Sequence, residues 1–127
     1  GSGERYVHVQ HLLEKGAGRS LRAIDRDDDD ARMAIGAELE DGADAAELKR
    51  LAATGEQIAA ATAIKRAQLA APILAAATKA LDKAAKKSEP TAWCVQPQAL
   101  GGCVGTDVTS ETVQMLLSDK GVAKALP

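Results

Sequence analysis

An all-α fold is predicted, and three observations predict it. Apolar and small residues recur at steps of three and four through two long stretches, which lays a continuous stripe along each as a helix. Almost no segment alternates apolar and polar residues as a half-buried strand does. Alanine is the commonest residue, Phe is absent, and Tyr6 and Trp93 are the sole aromatic residues besides the histidines. A core of Ala, Leu and Ile lets helices approach closely. The expected architecture is a long antiparallel helical hairpin, a disulfide-stapled loop, and a short C-terminal helix packed back on the hairpin.

Residues 1–3, Gly-Ser-Gly, read as the remnant of an expression tag. The hairpin is expected over 4–88, with helices over about 4–41 and 44–88. In the first, Leu13, Ala17, Leu21, Ile24, Ala31, Ile35 and Leu39 hold one phase, interrupted at Asp28. The phase survives both Gly16-Ala17-Gly18 and the Asp27–Asp30 run, where a true break would reset it.

Three patterns in this helix invite chemistry. Glu4, His8 and His11 stand at i, i+4 and i+7, so on a helix they share one face and can hold Zn²⁺, Cu²⁺ or Ni²⁺. The same face lies opposite the Val9–Leu13 stripe, and a solvated outer face explains it equally. Gly16-Ala17-Gly18-Arg19-Ser20 lacks the preceding strand, glycine spacing and Lys of a phosphate loop. Asp25, Asp27 and Asp29 open like a calcium loop, but its sixth and twelfth positions, Gly and Glu, are filled by Asp30 and Gly36.

Asp41-Gly42 forms the corner. Asp44 can accept the N–H of Glu47 while Glu47 reaches back, which makes a capping box with Asp in place of Ser or Thr. Leu48, Leu51, Gly55, Ile58, Thr62, Leu69, Ile73, Ala77, Ala80 and Ala84 then keep phase, with Arg66 the one exception. At ~1.5 Å per residue this helix is about 65 Å long. Gly55 and Pro72 are its weak points. Folding about Gly42 sets Ile35 near Leu51, Ile24 near Ile58–Thr62, and Leu13 near Ile73. Ile64, Leu74 and Leu81 lie off the main stripe and form a second apolar face that another element or a partner must cover. Ser88-Glu89-Pro90 ends the helix.

Residues 89–108 are rich in Gly and Pro and read as an irregular loop. Cys94 and Cys103 have apolar neighbours and neither redox nor zinc spacing, which predicts a disulfide between them. Trp93 either anchors the loop on the helices or marks a contact site. Residues 109–127 return to helix, capped at Thr109 or Ser110, with Val113, Leu116 and Leu117 on the apolar face and a break at Asp119 or Gly121.

Composition narrows the function. The net charge of −2, with acids and bases interspersed, supplies no basic face for nucleic acid. No apolar run approaches the ~20 residues a membrane span needs. A disulfide implies the periplasm, the cell surface or the medium. No nucleophile-base pair can be assembled, so a non-enzymatic protein without a cofactor is expected. The leading reading is an exported structural or protein-interaction protein, a subunit or accessory of a bacterial surface or secretion assembly, binding a protein partner or itself. The alternative is a helical bundle that binds a small molecule or metal.

Overall fold

The computed structural model describes residues 4–87, 90–96 and 102–127. The proposed tag remnant and the middle of the cystine loop lie outside them. Along the chain run β1 (Arg5–His8), α1 (Val9–Glu40), α2 (Ala45–Ala85), β2 (Thr91–Cys94), β3 (Thr106–Asp107), α3 (Thr109–Ser118) and α4 (Lys120–Ala125). Helix accounts for 76% of the described residues, so the mostly helical class stands.

The all-α expectation does not stand. The three strands form a parallel sheet in the order β2-β1-β3. Arg5 to His8 pair with Thr91 to Cys94, and Arg5 and Tyr6 also pair with Thr106 and Asp107. The first helix therefore starts at Val9 and not at Glu4. Strands of four, four and two residues are too short to show a period of two. Their hydrogen bonds, moreover, join segments on either side of both long helices. Local sequence carries no record of such pairing. Tyr, Val, Thr and Trp in β1 and β2 are at least favourable strand residues.

The chain divides into two compact units, one of Gly1–Gly18 with Ala70–Pro127 and one of Arg19–Leu69. The first holds the sheet, the disulfide and most of the core. Val7, Leu12, Ile73, Leu116 and Val122 are fully buried there. Each such side chain contributes roughly 1.5–3 kcal/mol of burial. The C-terminal segment is two helices, because Asp119 leaves helical geometry at ψ 134°. Its carboxylate then caps α4, accepting from the N–H groups of Gly121 at 2.9 Å and Val122 at 3.1 Å. A Cβ on Gly16 would come within 2.7 Å of Leu126 and 3.2 Å of Leu117, so the missing side chain lets the C-terminal helices close on α1. Next to it Ala17 departs from helical geometry at φ −136°, and α1 bends at the Gly-Ala-Gly triplet.

The second unit is built from the rest of α1 and the first part of α2. The Asp44 cap forms, with the N–H of Glu47 donating to Oδ1 at 2.9 Å. Arg50 pairs with Glu38 at 2.7 Å, Arg66 pairs with Asp25, and the Thr62 hydroxyl donates to Asp28 at 2.7 Å. Ile35 reaches Gly55, one turn beyond the Leu51 expected for it. These contacts straddle Asp44 and Ala45 and not Gly42. The helix α2 continues through Gly55 and Pro72.

Candidate functional site

The stapled sheet and the surface of the second unit are the two regions with functional character. In the first, Cys94 of β2 is buried and bonded to Cys103, with Cα atoms 6.0 Å apart. The predicted bridge is thus present, and it ties the β2 edge to the segment leading into β3. Trp93 is half-buried, and its indole N–H donates to the Thr78 hydroxyl of α2 at 3.1 Å. The indole secures β2 to the helix.

At the other edge, β1, β3 and α3 meet in a polar network that composition did not reveal. The backbone N–H of His8 donates to Thr109 Oγ1 at 3.0 Å. The Thr109 hydroxyl donates to Asp107 Oδ1, and the Thr109 backbone N–H donates to the same oxygen at 2.9 Å. His8 Nε2 stands 3.8 Å from Asp107 Oδ2, an ion pair once the ring is protonated. The Tyr6 ring meets the His8 ring edge-on at 5.4 Å. The hydroxyl and backbone N–H of Thr109 hold the Asp107 carboxyl below its usual range, with smaller help from the charges of His8 and His11. Chemically the network closes the sheet onto α3. The Thr109 hydroxyl spends its proton on Asp107, so it is not poised on the imidazole as a nucleophile would be.

The metal expectation for Glu4, His8 and His11 rested on a helix beginning at Glu4. Residues 5–8 are strand, so the three share no helical face, and His8 is buried instead of exposed. Among the described residues no group of three or more His, Cys, Asp or Glu side chains is arranged to hold a metal ion.

The predicted contact residues fare differently from one another. Leu81 is buried within its own unit, which removes it as a contact surface. Leu74 is half-buried. Ile64 is 57% exposed, and it has company in the second unit: Met33, Leu39 and Leu48 are exposed as well. Leu51 is the one fully apolar side chain buried in Arg19–Leu69 among the described residues. Leu39 and Leu48 were missed as surface residues because the stripe assigns them to a core, and two helices alone cannot enclose one. The signal available was the absence of any third helix to cover that stretch.

No family model matches the chain, and no curated protein and no solved structure matches it significantly. No described helix is long and apolar enough to cross a membrane.

Proposed function

We propose that this is a non-enzymatic, exported structural or protein-interaction protein, with Arg19–Leu69 as its docking segment. In this reading the two long helices run antiparallel as a hairpin. The side-chain pairs Glu38–Arg50, Asp28–Thr62 and Asp25–Arg66 support it, since the partners run in opposite order along the two helices. The observation that carries the functional reading is this segment's balance of surfaces. Met33, Leu39, Leu48 and Ile64 face solvent while Leu51 alone is buried. Apolar side chains gathered on a segment with so little core of its own gain by being covered in an assembly. Export is supported by the Cys94–Cys103 bridge, which persists in oxidising compartments. A subunit or accessory of a bacterial surface or secretion assembly is the role that suits an exported chain with such an interaction segment and a disulfide.

Native mass spectrometry and sedimentation of the oxidised protein test this. The expected result is a mass that rises with concentration and falls back when Met33→Ser, Leu39→Ser and Leu48→Ser are introduced together. A strict monomer that retains a small molecule would overturn the reading in favour of ligand binding.

A further inference from the structure

A depression of about 700 Å³ lies in the first unit between α2 and the start of α4. Lys79 and Lys83 rise from α2, Lys86 follows in the turn just after it, and Lys120 lines the depression from α4. All four are exposed, and none forms an ion pair with a described residue. The floor is aliphatic, made by Ala75, Ala76 and Ala80. Two carboxylates line the depression too. Asp119 is engaged in capping α4, which leaves Asp82 as the one uncommitted acid against four ammonium groups. Such a basin, cationic at the rim and apolar below, suits an acidic segment that also carries one apolar side chain.

The second unit displays a segment of that composition. Of the five aspartates between positions 25 and 30, Asp25 is held by Arg66 and Asp28 by Arg32 and Thr62. Asp27, Asp29 and Asp30 are exposed and have no partner among the described residues. Met33 stands one turn beyond Asp29 and Asp30 and is 71% exposed. We propose that the Asp29–Asp30–Met33 face of one copy docks in the Lys79–Lys83–Lys86–Lys120 basin of a second copy. The carboxylates meet the ammonium rim and the methionine reaches the alanine floor. The two surfaces differ, so the contact is head-to-tail and can propagate along a row of copies. The proposal rests on the interaction-protein reading above and names the partner as the chain itself.

Sedimentation velocity on the full oxidised chain tests it across a concentration series, at about 0.01 M and about 0.3 M salt, where screening differs several-fold in range. Three samples carry charge reversals: Lys83→Glu with Lys120→Glu, Asp29→Lys with Asp30→Lys, and the two reversed proteins mixed in equal amounts. Circular dichroism confirms that each is folded. The wild type should associate at low salt and weaken at least about tenfold at high salt. Each reversed protein alone should stay monomeric, and the mixture should associate again, because each supplies the surface complementary to the other's. A wild type that stays monomeric at low salt would overturn the proposal, as would association that survives either reversal, or a mixture that fails to associate. Association indifferent to all charge reversals but lost with Leu39→Ser and Leu48→Ser leaves the interaction reading standing and removes this one.

Discussion

Gly105→Ala is the substitution expected to damage the sheet most per atom added. Gly105 sits at φ +123°, outside the regions open to residues with a side chain. A Cβ there would meet the Glu4 carbonyl oxygen at 2.7 Å and its carbon at 3.0 Å. That carbonyl cannot simply move away, since it accepts the Thr106 N–H at 2.9 Å and so begins the β1–β3 pairing. Backbone strain of roughly 1–3 kcal/mol adds to about 1 kcal/mol for the weakened hydrogen bond. The expected loss is therefore about 2–4 kcal/mol, read by urea unfolding of the oxidised protein under identical conditions. Two glycines serve as controls. Gly102 has no atom of a described residue within 4 Å of its would-be Cβ, so Gly102→Ala should change stability by less than about 0.5 kcal/mol. Gly36 lies in the interior of α1 with equally open space, and Gly36→Ala should stabilise by up to about 1 kcal/mol. If Gly105→Ala unfolds at the same urea concentration as Gly102→Ala, the account of this turn is refuted.

The cystine should lower the mass by about two units relative to the reduced chain. Its reduction, or Cys94→Ser with Cys103→Ser, should cost about 2–3 kcal/mol by thermal or urea unfolding, given its sequence separation of 9. Ile73→Ala removes a fully buried side chain and should cost about 2–5 kcal/mol, whereas Ile64→Ala at an exposed site should stay within about 0.5 kcal/mol in the isolated protein. Asp107 contributes stability as the carboxylate, because its folded pKa lies below the unfolded value. That contribution is complete above about pH 4 and is lost as pH falls through the lower folded pKa. Asp107→Asn should accordingly flatten the acid limb of the stability-pH curve and leave the slope near neutrality unchanged.

The long helices were legible because their signals are local and repeated many times. The Asp44 cap, the three-and-four stripe of α2 and the Asp119 break are read within a few residues of where they act. The disulfide was legible from two cysteines with no other use. The sheet was not, because β1 finds its partners about a hundred residues away in β3 and across both long helices in β2. That also misplaced the histidines. His8 on a helix beginning at Glu4 faces water; His8 at the end of a central strand is buried and bonded to Thr109 through its backbone. The individual side-chain pairs differ from those expected by about a turn, Ile35 meeting Gly55 and not Leu51, since a stripe defines a face and leaves sliding along it open.

By itself, the sequence determined the two long helical stretches, the Asp44 cap and the cystine pairing. Each of these depends on short-range geometry: helical period, capping hydrogen bonds, and the reach of a loop. Tertiary structure alone decided that Arg5–His8 is a central strand and that Asp107, Thr109 and His8 meet. It also decided that Leu81 is interior while Met33, Leu39, Leu48 and Ile64 remain on the surface. Those outcomes turn on which distant segments arrive beside one another. An apolar side chain is buried only where a second element comes to cover it, and periodicity names the face without naming the cover.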